Sequence, residues 1–196
     1  MAANNGQRIV RVEFDIEGIA PLSFGKSIST PRAQGEDYEV FDERNWRERC
    51  HFDAKGEVFV PPMMMKRCIE RAASMLSESV PGKGKATFTK HFLSGILIAD
   101  PIYVGVHIDK VPSERLYMNA DGKRGSGTRV WRRFPQIVAW KGHVIVHVLD
   151  PLLQDRPEKI IEYAGHAGQF VGLGRFAPRV GGYYGRYVVK DAKNYT

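Results

Sequence analysis

Cysteine is close to absent from this chain: Cys50 and Cys68 are the two found among 196 residues. They are too few for a disulfide scaffold, and thiols kept reduced in a cytoplasmic setting are the simpler reading. Uncharged apolar runs are short as well. None approaches the roughly 18 residues of a membrane-spanning helix, so no membrane association is expected. The opening MAANNGQRIVRVEF lacks the apolar stretch of a secretory signal. Internal repeats, low-complexity tracts and a dividing linker are also missing, which predicts one domain over 1–196. Acidic residues are the minority charge, 22 against 29 lysines and arginines, leaving a net charge of +7. This surplus favours polyanionic partners and is silent on fold. With 43% hydrophobic and 26% charged residues the chain can bury a core, which excludes wholesale disorder.

What is present falls into short periodic segments. Residues 8–17, RIVRVEFDIE, alternate strictly and predict a half-buried strand. Residues 18–57 are polar and irregular, predicting an extended insertion with a short hairpin. Val58 to Val60 read as a brief strand leading into Pro61-Pro62, and proline is favoured at a helix start. In the helix that follows, Met65, Cys68, Ile69, Ala72, Met75 and Leu76 form one apolar stripe, with Pro81-Gly82 as the predicted stop. Apolar runs at 96–99 and 102–108 come next, then a second polar insertion over 109–129. The runs VWRRFPQIVAW and HVIVHVL flank Lys141-Gly142, which predicts a hairpin turn there. Asp155 and Glu158 give a capping-box pattern for a helix burying Ile160, Ile161, Ala164 and Ala167. A glycine-rich loop and a last strand close the chain. The order predicts an α+β fold: a ferredoxin-like (RRM-like) sandwich with long loop insertions and a C-terminal glycine-rich loop.

Three short motifs fail on context. Residues 20–27, APLSFGKS, approach a phosphate-binding loop, yet Ala20 replaces the first glycine and no helix follows to hold the phosphates. Residues 172–177, GLGRFA, stand after a helix and before a strand, the reverse of a dinucleotide fingerprint. Cys50, His51 and Cys68 fit no compact zinc spacing, and Cys68 falls on the apolar stripe. No metal and no cofactor are expected. Asp37, Asp42 and Asp53 lie ahead of the first long helix, and no motif singles one out. His51 and His91, in predicted loops, are the candidates for acid–base work.

The positive charge gathers in three glycine-rich segments. One carries Lys83, Lys85 and Lys90; a second carries Lys123, Arg124, Arg129, Arg132 and Arg133; the third carries Arg175, Arg179 and Arg186. Glycine lets a backbone amide approach a ligand closely, and basic side chains beside such amides suit phosphates. Phe88, Trp131, Phe176, Tyr183 and Tyr184 are interleaved, and stacking on such rings contributes about 1–3 kcal/mol per base.

Beyond charge, the order of the C-terminal segment is informative. A helix ending in Tyr163-Ala164-Gly165-His166-Ala167-Gly168 is followed by Gly172-Leu173-Gly174-Arg175, then Gly181-Gly182-Tyr183-Tyr184-Gly185-Arg186, then a strand. This resembles the glycine-rich loop of the CRISPR-associated RAMP superfamily. The opening RVEFDIEGIAPLSFG is similar to that family's first strand and turn, and the segment from Val58 to Arg67 is similar to the start of the first helix in backbone-type subunits. The resemblance implies an RRM-like fold that binds single-stranded guide RNA, either in a CRISPR system or as a phage-encoded relative. It implies phosphate contacts from Arg175, Arg179 and Arg186 beside Gly172, Gly174, Gly181 and Gly182, with Lys66 and Arg67 adding contacts early in the helix. It also implies a thumb or finger in the 121–129 region and a filament-like assembly with copies of itself or related subunits.

The resulting expectation is a non-catalytic binder of single-stranded nucleic acid, RNA before DNA. Three alternatives are a phage or host single-stranded DNA-binding protein, a metal-independent endoribonuclease using a loop histidine, and an interaction module or inhibitor that docks on an acidic protein.

Overall fold

Strand β1 (Val10–Gly18) buries Val10, Val12, Phe14 and Ile16, the alternation the sequence predicts. A one-residue slip would exchange these side chains for Glu13 and Asp15, and each lost burial costs roughly 1.5–3 kcal/mol, so the register is firmly set. The computed structural model describes residues 9–120 and 127–193. After β1 come α1 (Tyr38–Asn45), β2 (Glu57–Val60), α2 (Pro62–Leu76), α3 (Thr89–Gly95), β3 (Ile96–Leu97) and β4 (Ile102–His107). They are followed by β5 (Ser113–Asn119), β6 (Arg129–Pro135), β7 (Lys141–Val148), α4 (Pro151–Gln154), α5 (Glu158–His166) and β8 (Tyr187–Lys193).

The main sheet runs β3-β7-β1-β8 and is antiparallel at every pairing. Val12 lies opposite Val146 and Phe14 opposite Val144. The succession β1, α2, β3, β7, α5, β8 with that strand order is the ferredoxin-like arrangement, as expected. Helices α2 and α5 close the core: Met65, Cys68, Ile69, Ala72 and Ala73 come from one, Ile160, Tyr163 and Ala164 from the other. Two further two-stranded sheets, β2-β4 and β5-β6, stand outside the main one. No described helix is long and apolar enough to cross a membrane.

Several local expectations are corrected. Lys141-Gly142 is no turn: both residues lie inside β7, opposite Glu17 and Ile16 of β1. Gly142 is small because a Cβ there would meet the Ile102 side chain. The partner of β6 is β5 instead, with Tyr117 opposite Trp131. Residues 18–57 hold α1 and the 3₁₀ turn Trp46–Arg49 where a hairpin was expected. Asp37 starts α1 by accepting from the amides of Glu39 and Val40. Helix α2 stops at Ser77, which takes a left-handed conformation (φ 47°) ahead of Pro81, and Met75 at the end of the stripe is 52% exposed. Asp155 does not start α5, whose N-cap is Pro157. It closes the extra helix α4, its amide donating to the Pro151 carbonyl, while Asp150 starts α4 by accepting from the amides of Leu152 and Leu153. Helix α5 runs on through a π-helical turn, Ala167–Val171, and ends at Gly172 (φ 71°).

Candidate nucleic-acid interface

Four segments border one side of α2: the strap after β1, the 3₁₀ turn after α1, the inner face of the β5-β6 hairpin and the glycine-rich loop. Between them lies a cavity of about 670 Å³ whose walls include Lys26, Arg49, His51, Met64, Met118, Arg132, Phe134, Arg175 and Arg179. A second hollow of about 520 Å³ shares His51, Met64 and Arg179 with it and adds Met63, Arg67 and Arg71. A third, about 290 Å³, shares Arg67 and Arg71 with the second and reaches Ser74, Thr89 and Leu93. Through these shared residues the three hollows adjoin one another from the hairpin along α2 to α3, a row of basic walls that makes up the trough.

At its deep end three arginines crowd together. Arg49 is only 7% exposed; its Nη2 donates to Asp42, and its guanidinium lies 4.7 Å from the centre of the Phe134 ring. Arg175 stacks on that ring at 3.2 Å and on Phe176 at 4.2 Å. Arg132 donates to the Ala120 carbonyl and lies over Tyr38. Yet Nε of Arg49, Nε of Arg132 and Nη1 of Arg175 are buried without a hydrogen-bond partner among the described residues. Burial, with repulsion from Arg49 and Arg132, pushes Arg175 down from its ordinary range to about 10; Glu114 and Asp42 offset this only in part. The guanidinium keeps its proton at neutral pH, so the lowered value measures how poorly the fold satisfies the charge. Burial, together with nearby Lys26, also pulls His51 below the ordinary imidazole range and favours the neutral ring.

Of the residues expected from sequence, Arg132, Gly174, Arg175, Arg179 and Arg67 line the trough. Arg179 also braces the glycine-rich loop, donating to the carbonyls of Gly172 (2.6 Å) and Gly174 (2.8 Å). Lys66 is tied to Glu70 and the Leu93 carbonyl, and Arg133 to Glu43 and Ser113. Lys83, Lys85, Lys90, Arg129 and Arg186 are exposed outside the three hollows. Lys123 and Arg124 lie outside the described residues. Tyr183 is 58% exposed, whereas Tyr184 is buried and donates its hydroxyl to Glu114. The glycines act chiefly inside the protein. The amides of Gly172, Gly181, Gly182 and Gly185 all donate to protein carbonyls, and a Cβ on Gly174 would collide with the Ser23 carbonyl. Sequence reading missed Lys26, Arg49 and Arg71; Arg71, one helical turn beyond Arg67, carried a usable signal, and Lys26 lay in the APLSFGKS segment set aside for lacking a helix after it.

The open face of the main sheet is a poor alternative. An RRM stacks bases on aromatics of that face. Here it carries Glu13 and Asp15, both bonded to His143, and such carboxylates repel phosphates.

The strap holding Lys26 is secured by Glu48. This carboxylate accepts from the Ser29 amide (2.6 Å), the Thr30 amide (3.1 Å) and the Thr30 hydroxyl. The Thr30 hydroxyl, then the two amides and Lys26, hold Glu48 below the usual carboxylate range, against an opposing effect of burial. Because the folded pKa is depressed, the stabilisation is complete above the unfolded value and disappears as pH falls through the folded one. Hydrogen exchange should therefore show protected Ser29 and Thr30 amides at neutral pH and loss of that protection in acid. Glu48→Ala should lower it about fivefold at neutral pH, each bond contributing about 1 kcal/mol, and should remove the loss in acid.

No family model matches this chain, and no curated protein matches it. Among solved structures it is similar to a chain in the "Cryo-EM structure of the Type III-B Cmr-beta bound to cognate target RNA", with TM-score 0.59 and 12% identity over 95% of this chain. That match covers 60% of the other chain, so this protein spans under two thirds of its length. It is also similar to Cmr6 from Pyrococcus furiosus (TM-score 0.46, 13% identity, 93% and 99% of the two chains). A chain of a CRISPR RNA-guided surveillance complex gives TM-score 0.41 at 9% identity, over 93% and 66% of the two chains. At the level of fold, the resemblance to CRISPR-associated RAMP proteins is thus borne out: this chain shares its fold with part of a chain in the Type III-B Cmr-beta structure.

Proposed function

We propose that this protein binds single-stranded nucleic acid along the trough, with RNA as the natural strand and without cleaving it. The observation that carries this reading is the continuity of the trough: Lys26, Arg49, Arg67, Arg71, Arg132, Arg175 and Arg179 border hollows that share walls. Seven cations spread over three adjoining hollows suit an extended polyanion better than a compact ligand. RNA is preferred because the chain of like fold belongs to an assembly whose name includes target RNA. On the same reading Arg129, at the start of β6, together with Lys123 and Arg124 of the 121–129 segment, acts as the thumb or finger. The protein then assembles with copies of itself or with related subunits along the strand.

Binding of a labelled single strand, measured over a range of salt concentrations, tests this. If about five phosphates are neutralised, log K should fall by about 3.5 per decade of salt. Intact RNA after incubation is expected. A flat salt response, or equal binding of a protein-sized acidic polymer and RNA, would count against the reading; RNA cleavage that His51→Ala removes would replace it with the endoribonuclease alternative.

A further inference from the structure

The deep end of the trough differs from the rest of it. Along α2 the cations are exposed on a helix surface and can follow a flexible polyanion. Around Phe134, Arg49 is buried and Arg132 and Arg175 are half-buried, and one nitrogen of each guanidinium is shut off from solvent with no hydrogen-bond partner among the described residues. A buried, unpaired donor on a charged group is costly to keep. The nearby carboxylates do not cancel it. Asp42 is occupied by Arg49 and by the Arg133 amide (2.6 Å). Glu114 accepts from Tyr184 and Gln136 through Oε2, and its buried Oε1 has no partner among the described residues, so one carboxylate oxygen is left beside three guanidinium groups. Three guanidinium groups against these two acids, with Lys26 and Arg179 on the same wall, leave the cavity cationic.

We propose that Arg49, Arg132 and Arg175 form a socket for one phosphoryl group, fixing the bound strand in register. The proposal rests on the nucleic-acid reading only for what delivers the phosphate. A tetrahedral group with several acceptor oxygens can take N–H donors from three side chains at once, which a planar carboxylate does less well, and the guanidinium fork is suited to it. Phe134 holds two of the three arginines in place by stacking, so the site is pre-organised. Met64, Met118 and Phe176 supply an apolar wall for the attached nucleoside. The phosphoryl group is either the terminal monoester of a strand or one internal phosphodiester; the chemistry recognised is shared.

Thermal unfolding with inorganic phosphate, against chloride at equal ionic strength, tests the socket without any nucleic acid. Phosphate should raise the melting temperature of the wild type more than chloride does. Arg175→Met keeps a side chain able to pack on Phe134 and removes one of the repelling charges. It should melt at the same temperature as the wild type or higher, and bind phosphate at least about tenfold more weakly. Arg132→Met is the second variant, with the same phosphate outcome, and Lys90→Met should keep the wild-type response. A merely structural Arg175 would instead give a lower melting temperature and an unchanged phosphate response, and that result overturns the proposal, as does a wild type indifferent to phosphate.

Single-stranded 12-mers then separate the two sources. About a tenfold loss on replacing a 5′-phosphate by a hydroxyl assigns a terminal group; a similar loss from a methylphosphonate at one internal position assigns a phosphodiester. Indifference to both, with binding retained, removes the socket and leaves the trough. Phosphate binding without RNA binding does the reverse.

Discussion

Arg67→Glu combined with Arg71→Glu should weaken binding of a single-stranded RNA by about 100-fold or more and lower the salt slope by about 1.4. Both side chains stand on the exposed face of α2 and border two of the three hollows. A charge-assisted phosphate contact contributes about 1.5 kcal/mol or more, so losing two is about 3 kcal/mol before repulsion by the new carboxylates is counted. The slope follows from the loss of two neutralised phosphates at about 0.7 each. Stability should change little, since neither arginine is buried, although Glu70 beside them adds some like-charge repulsion. Titration by fluorescence anisotropy gives affinity and slope together, with the melting temperature as the control for folding. Wild-type affinity in this variant would move the strand off α2 and dissolve the trough as a continuous site.

The parts of the fold that could be read from sequence are those built by burial. Val10, Val12, Phe14 and Ile16 alternate because one face of β1 meets the core, and Met65, Cys68, Ile69 and Ala72 recur at helical spacing for the same reason. Strand β5 left no such trace. Its residues, SERLYMN, are exposed or half-buried on both faces, and pairing with β6 makes it a strand. Lys141-Gly142 misled because a lysine–glycine pair suits a turn, and the need for glycine arises from Ile102, about forty positions away.

The site divides along the same line. Arg67, Arg175 and Arg179 were legible as basic residues near a helix start and in a glycine-rich loop. Arg49 was not: it sits among charged neighbours from Asp42 to Glu48, and only the tertiary fold, through Asp42 and Phe134, makes it a buried cation. Lys26 reaches the cavity because Glu48 fixes the course of a strap that has no regular structure of its own. Both depend on partners distant in sequence, which composition and periodicity do not encode.

Replacing Gly185 by alanine should prevent the C-terminal loop from closing. Gly185 has φ 65°, where an L-residue costs about 1–2 kcal/mol, and a Cβ there would fall on the Leu173 carbonyl, deep inside van der Waals contact. The neighbouring backbone bonds cannot give way cheaply: Gly185 donates to the Pro21 carbonyl (2.7 Å) and accepts from the Leu173 amide (3.0 Å), tying the loop to the segment after β1. The combined cost should exceed about 4 kcal/mol, a large share of the 5–15 kcal/mol that holds a domain of this size together. Gly82 is the matching control, with φ 74° and nothing within 4 Å of an added Cβ, so Gly82→Ala should cost only about 1 kcal/mol. Chemical denaturation of the two variants measures the contrast. Equal, small losses would show that the glycines are not needed for packing, and would return to them the role of presenting amides to a ligand. A collapse confined to Gly185→Ala means that Gly185 is needed to shape the wall on which Arg175 and Arg179 stand.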